Sequence, residues 1–338
     1  MLDTTDFLFS QEGLVFPVKR CRPKNNLPRS SEAEFVLLFV HGIGTHKETW
    51  LPTIEHLFEL QSRRDGVRTG VIEAWIVEVG NHGEAAVVNE AILLERPGSL
   101  ADHQTSRMIL RLLRSDLLNG KKTIIVGHSG GACVGTFATL GCSLQDLPIH
   151  AMIVVEPAMI TREFYTVLQS QETSLVKTLV EMAKTRKDVW PSRAAARKWL
   201  SKRPPWQRWD PRVLDRFVSH GFRDLPTATY PDLKEGVTLC CTRAQEALWY
   251  SLQEDGVNAL ERLSELSTVI PVHCVFGSIP DVTSKWMKQD IVDSCKGASV
   301  TVVKGAGHFV PQEDPENLAS ALWTVLHSQR GHVTKVKL

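Results

Sequence analysis

The sequence lacks most of what would mark a secreted, membrane-spanning or cofactor-driven protein. Its seven cysteines are scattered, with no Cys-x-x-Cys and only Cys240-Cys241 as a close pair. An odd, unpatterned set reads as reduced thiols in an intracellular protein, not as a disulfide framework. The start, Met1-Leu2-Asp3-Thr4-Thr5-Asp6, has neither a basic segment nor an apolar one, so no secretory signal is expected. No run of about 18 apolar residues occurs, which argues against a helical membrane span. The formal net charge is +1, so no whole-protein field points to nucleic acid. There is no G-x-G-x-x-G, no P-loop and no His/Cys/Asp cluster at metal-ligand spacing, so neither a cofactor nor a metal is expected. Internal repeats and low-complexity tracts are missing too.

What remains is a chain of 338 residues, 43% hydrophobic and 23% charged, enough for one large α/β domain. Continuous apolar runs at Phe35–Val40, Thr123–Val126, Ala151–Glu156, Pro271–Gly277 and Ser299–Lys304 predict strands buried on both faces of a mostly parallel sheet. Val71–Val79 adds a strand, and Leu14–Val18 is a short candidate. Helical spacing marks Trp50–Leu60, Ser99–Leu118 and a terminal helix carrying Leu318, Ala321, Leu322 and Val325. The strand rhythm stops over residues 159–268, where helical patterns dominate and five of the nine tryptophans lie. The expected organisation is therefore a core of residues 1–158 and 269–338 with a helical lid inserted at 159–268. Within the lid, Trp206 and Trp209 are candidates for lining an apolar substrate pocket. The window Lys184–Arg212 holds ten Lys or Arg against two Asp. That run reads as a solvated face, and a single basic stretch in a near-neutral chain is weak ground for nucleic-acid binding.

The chemistry centres on Gly127-His128-Ser129-Gly130-Gly131, directly after a buried strand and before a run of small residues. This is a G-x-S-x-G elbow in its strand–turn–helix setting. Gly127 and Gly131 lack the Cβ atoms that would clash in so tight a turn. Ser129 is the expected nucleophile, and Gly130, opening the helix, offers an N–H to a developing oxyanion. The loop after Phe35–Val40, His41-Gly42-Ile43-Gly44, suggests Ile43 as the second oxyanion donor. A serine hydroxyl needs a base and a carboxylate to orient that base. His308, in a glycine loop after the last strand, is the expected base. Two carboxylates compete for the third role. Asp281, just past the preceding strand, is preferred over Glu156, at the end of the strand after the elbow; the other is expected to support the lid or the histidine. His82, in the loop Asn81-His82-Gly83-Glu84, is expected to serve that loop's structure.

Together, Gly127–Gly131, His41–Gly44 and Gly305-Ala-Gly-His-Phe-Val-Pro-Gln-Glu-Asp-Pro315 resemble enzymes of the α/β-hydrolase fold. Phe276–Ser284 resembles the loop that carries the triad Asp in that family, with Pro280 where Ser is more usual. More narrowly, His46–Trp50, Asn81–Glu90 and Val155–Met159 are similar to fungal α/β-hydrolases of toxin biosynthesis, a group that also resembles a peroxisomal lipase. The resemblance implies an acyl-serine hydrolase acting on an ester, thioester or lactone in secondary metabolism. The substrate would be a small apolar or acyl molecule. A cyclase or isomerase reusing the triad, and a catalytically silent small-molecule binder, are the competing readings. It also implies a cytoplasmic or peroxisomal location, Val336-Lys337-Leu338 resembling a peroxisomal signal. Nothing in the residues speaks to oligomeric state.

Overall fold

The apolar runs assemble into one eight-stranded sheet. The computed structural model describes residues 2–24, 33–63, 69–96, 101–170 and 175–328. The strands are β1 (Leu2–Gln11), β2 (Leu14–Pro23), β3 (Ala33–Val40), β4 (Thr69–Val77), β5 (Lys122–His128) and β6 (Ala151–Val155). Three short strands follow in the insertion: β7 (Val189–Trp190), β8 (Phe222–Asp224) and β9 (Val237–Leu239). The chain then returns to the sheet with β10 (Val272–Gly277) and β11 (Ser299–Val303). The order is β1-β2-β4-β3-β5-β6-β10-β11, parallel from β4 to β11 and antiparallel at β1 and β2.

Continuous hydrophobicity follows from two covered faces. Ile125, Met152, Val154, Cys274 and Phe276 face one layer, whose helix Ala101–Leu113 supplies Met108, Ile109 and Leu112. Ile124, Val126, Ile153, Val155 and Val275 face the other, against helices Leu51–Ser62 and Pro315–Ser328. The parallel strands thereby send their carboxyl ends to one edge, where β3, β5, β6, β10 and β11 release the loops that carry the site.

Three expectations shift. The N-terminus forms a hairpin, β1 pairing along β2 through a turn at Glu12 (φ 52°) and Gly13 (φ 85°). The insertion contains a small antiparallel sheet, β7-β9-β8, beside its helices. Helix Gln253–Leu266, expected within the lid span 159–268, buries Val257, Ala259, Leu260 and Leu263, the last three in the core layer against Met152 and Val134. Among the described residues, no helix is long and apolar enough to cross a membrane. Residues 99–100, at the start of the expected helix Ser99–Leu118, lie outside the described residues, as do Val336–Leu338.

The elbow depends on bare backbone contact. A Cβ on Gly131 would stand 2.3 Å from the His41 carbonyl oxygen and 2.5 Å from that of Val40. One on Gly127 would stand 2.5 Å from the Ala132 Cα. Neither backbone can yield without opening the sheet. Gly131→Ala is expected to lose about 3 kcal/mol or more of stability in urea unfolding, at the upper end of overpacking costs. A loss below about 0.5 kcal/mol would show that the turn does not require glycine there.

Candidate active site

Ser129 caps the helix Gly130–Phe137 with φ 52° and ψ −125°. Glu156, one residue beyond the neighbouring strand β6, has φ 43°. Among the described residues the only other non-glycine with positive φ is Glu12 in the hairpin turn. Two adjacent parallel strands thus end in left-handed turns that side chains rarely adopt. The Ser129 N–H donates to the Val155 carbonyl at 3.0 Å, tying the two ends together.

Ser129 Oγ lies 3.0 Å from His308 Nε2. On the ring's far side, Glu156 Oε2 lies 3.5 Å from Nδ1. At that separation the two atoms are not hydrogen-bonded, and both are buried with no hydrogen-bond partner among the described residues. All three side chains are buried. The structure brings Glu156, not the preferred Asp281, to the ring. Asp281 Oδ1 instead accepts the backbone N–H of His308 and of Val282, each at 2.8 Å. Its carboxylate presses so closely on Gly307 that a Cβ there would sit 2.1 Å from Oδ2. Asp281 therefore holds the histidine loop and leaves the imidazole free. Glu313 does similar work, accepting the Gly307 N–H at 2.8 Å. Arg208, from the insertion, donates to Glu313 at 2.8 Å and to the Gly305 carbonyl at 3.2 Å, with Asp281 3.9 Å away.

Glu156 Oε1 accepts the Gly277 N–H at 2.7 Å and the Lys288 ammonium at 2.5 Å. His128 donates from Nε2 to the His308 carbonyl at 2.9 Å. Burial, and then the neighbouring His308, push the His128 imidazole down to about 3, so it is neutral.

Gly130 opens its helix, so its N–H has no partner within the helix. Ile43 packs beside it: a Cβ on Gly130 would lie 2.9 Å from Ile43 Cγ1. A Cβ on Gly42 would lie 3.1 Å from Ser129 Cβ. The two candidate oxyanion donors thus flank the serine. Their loop is fixed from below by a network in which His82 has the loop-supporting role expected of it. The Gly44 N–H donates at 3.0 Å to His82 Nε2, and His82 Nδ1 donates at 2.8 Å to Asn81 Oδ1. Burial drives His82 well below its usual range, which keeps Nε2 an acceptor. Lys47, 1% exposed, reaches Glu48, Glu78 and Glu84 at 3.0, 3.2 and 3.0 Å. Burial alone would push its ammonium down, but those carboxylates more than offset that and hold it up.

The insertion reaches the site through side chains beyond the two expected. Trp249 Nε1 donates to Asn81 Oδ1 at 3.0 Å, and the ring stands 3.8 Å from where a Gly130 Cβ would be. Glu246 faces Gly44. Trp209 packs on Phe309, next to His308, while Trp206 packs on Trp199 in the insertion's own core. A cavity of about 490 Å³ is lined by Asn81, Leu93, Arg223, Tyr230, Arg243 and Gln245 among others, and by neither Trp206 nor Trp209. No pattern spacing marked Trp249; its distance from the elbow in sequence hides it. Among the described residues, no group of three or more His, Cys, Asp or Glu side chains is placed to hold a metal ion.

A model of the alpha/beta hydrolase family matches residues 37–321. The chain is 28% identical over 229 residues to the Type I acyl-CoA thioesterase mpaH of Penicillium brevicompactum, covering 66% of this chain and 48% of that one. It thus spans about half the length of that curated relative. It is 24% identical to the Abhydrolase domain-containing protein AFT2-1 of Alternaria alternata, over 58% of this chain and 80% of that one. Its fold is similar to the peroxisomal alpha-beta-hydrolase Lpx1 of Saccharomyces cerevisiae, with a TM-score of 0.74, 16% identity, and 100% and 93% of the two chains covered. The thioesterase domain from the curacin biosynthetic pathway gives a TM-score of 0.63 at 17% identity, over 95% and 99%.

The buried, neutral His128 makes stability pH-dependent. Its folded value, about 3, lies below the ordinary 6.5. Between these values the unfolded chain binds a proton that the folded chain refuses, so acid destabilises by up to about 1.4 kcal/mol per pH unit from this group. His128→Gln keeps a donor toward the His308 carbonyl but cannot titrate. The stability gap between wild type and His128→Gln is expected to narrow as pH falls from 7 to 4. A constant gap would contradict a neutral, buried imidazole.

Proposed function

The chain belongs to the alpha/beta hydrolase family, and on that premise we propose that it hydrolyses a thioester or ester of a small acyl group through an acyl-Ser129 intermediate. His308 is the base in this reading and Glu156 the carboxylate that orients it. The observation that carries the reading is the alignment of Ser129 Oγ, the His308 ring and the Glu156 carboxylate at 3.0 and 3.5 Å. A hydroxyl proton passes to Nε2 as Oγ attacks a carbonyl carbon, and Nδ1–H faces the carboxylate that stabilises the imidazolium. The carbonyl oxygen, now negative, is received by the N–H groups of Gly130 and Ile43, each worth about 10²–10³ in rate. His308 then returns its proton to the departing thiol or alcohol, and water enters by the reverse sequence. The strained backbone at Ser129 supports an attacking oxygen, since such strain serves little if the hydroxyl only binds. The thioester preference rests on the names of relatives, an acyl-CoA thioesterase and a biosynthetic thioesterase domain. Those names also favour a role in secondary metabolism. Trp249, Ile43 and Phe309 supply the apolar surroundings of the acyl group, and the insertion around Trp209 acts as the lid.

A fluorophosphonate is expected to label Ser129 in the wild type and to leave Ser129→Ala unlabelled, as read by peptide mass spectrometry. Free thiol should appear when the enzyme meets acyl-CoA esters of graded chain length. Glu156→Gln should lower kcat by about 10³–10⁴, the cost of losing the ring's orienting carboxylate. Asp281→Asn should cost far less. The reverse ranking would return the acid's role to Asp281. A labelled Ser129 with no hydrolysis of any thioester or ester would favour cyclisation or silent binding instead.

A further inference from the structure

Lys288 is a charged group that the acyl-transfer reading does not use. It is 3% exposed and sits in the first turn of the helix Lys285–Ser294, behind the cap formed by Ser284. That is a poor place for a cation. Burial strips its hydration, and the positive end of a helix repels it. Its ammonium has two oxygen partners, Glu156 Oε1 at 2.5 Å and the Gly277 carbonyl at 2.8 Å, and lies 5.5 Å from the centre of the Phe276 ring. The same Gly277 gives its N–H to Glu156 Oε1 at 2.7 Å. One carboxylate oxygen is thus committed to Lys288 and Gly277, and the other is left for His308 Nδ1.

We infer that Lys288 is a positioning residue of this site: it fixes Glu156 toward the imidazole and sets the one matched positive charge beside that carboxylate. The inference rests on the assignment of Glu156 and His308 made above. The competent form carries no proton on the carboxylate and none on Nε2. A fixed positive charge beside the pair disfavours uptake of the first proton, whichever of the two would hold it. Removing that charge raises the pair's first proton-binding value, so the acid limb of activity moves to higher pH. The remaining charged or titratable groups around His308 are Asp281 on its backbone N–H, Glu313 on the Gly307 N–H, Arg208 bridging those two, and neutral His128. None of them contacts the Glu156 carboxylate in the described hydrogen bonds, so Lys288 is the cation matched to it.

The test uses the rate of Ser129 labelling by a fluorophosphonate, which needs no knowledge of the substrate. Labelling of wild type, Lys288→Met, Lys288→Gln and Lys288→Arg is followed by intact mass from pH 5 to 9, with folding checked by thermal melting. The acid midpoint should rise by about one unit or more in the Met and Gln variants, the size expected for losing an adjacent opposite charge. At pH values below both midpoints they should label about tenfold more slowly than wild type, relative to their own rates at pH 8.5. Lys288→Arg should keep the wild-type midpoint. A neutral variant that folds and keeps the wild-type midpoint overturns the inference, as does a uniform loss at all pH values, which is what a merely structural lysine would give. Absence of labelling in the wild type would instead defeat the acyl-serine reading itself.

Discussion

The site depends on how closely two backbones approach. The helix after Ser129 begins so near the end of β3 that Gly131 lies almost against the His41 and Val40 carbonyls. That approach forces the left-handed turn at Ser129 and lifts its hydroxyl off the sheet. It also brings Gly42 against Ser129 and Ile43 against Gly130, so the candidate nucleophile and both candidate oxyanion donors are placed by one contact. A side chain at any of these glycines would move all of them together. Because interiors are close-packed, such a shift cannot be absorbed locally.

A loop of this kind has few apolar atoms to hold it, and the chain holds it with buried charge. Lys47, Glu48 and Glu78 are each no more than 3% exposed, and His41 Nε2 lies 2.9 Å from Glu78 Oε1. Ions so deeply placed cost several kcal/mol each to desolvate, and the attraction among them offsets this only when every partner is present. The arrangement is therefore brittle but exact in direction, which suits a loop whose N–H groups must point one way. The insertion joins the same network through Trp249 and Gln245 on Asn81. The loop His41–Gly44 and the helices of the insertion are thus not independent parts.

Much of this was legible in the residues. Strands buried on both faces announce themselves as continuous apolar runs, and the elbow carries its own glycines. The hairpin strand β1 is hidden in the sequence because Asp3-Thr4-Thr5-Asp6 is exposed and only Phe7 and Phe9 alternate toward the core. Helix Gln253–Leu266 follows a helical insertion without a break in pattern, so only packing shows that it belongs to the sheet's own layer. Trp206 and Trp209 were chosen for their aromatic bulk, whereas Trp249 is the one set beside Gly130. Lys47 and Lys288 read as ordinary surface lysines, since a sequence does not show which cation will be surrounded by carboxylates.

The choice between two carboxylates shows most clearly why order along the chain is not enough. Asp281 follows β10, which pairs with the histidine's strand β11, and Glu156 follows β6, which lies between β10 and the elbow strand β5; either could serve by position. Reach decides between them. Asp281 is short, and its loop lies against Gly305–His308, so its oxygens meet backbone N–H before they could meet a ring. Glu156 is one methylene longer and starts from a left-handed turn beside Ser129, which sends its side chain beneath the histidine from the elbow's side. With the ring supplied from below, Asp281 and Glu313 are free to hold the histidine loop from above, where Arg208 binds Glu313 and approaches Asp281. On the proposed assignment, an orienting carboxylate at the end of β6 leaves two others to link the loop of His308 to the insertion. On the proposed assignment, the position of the lid and the alignment of His308 become one structural variable.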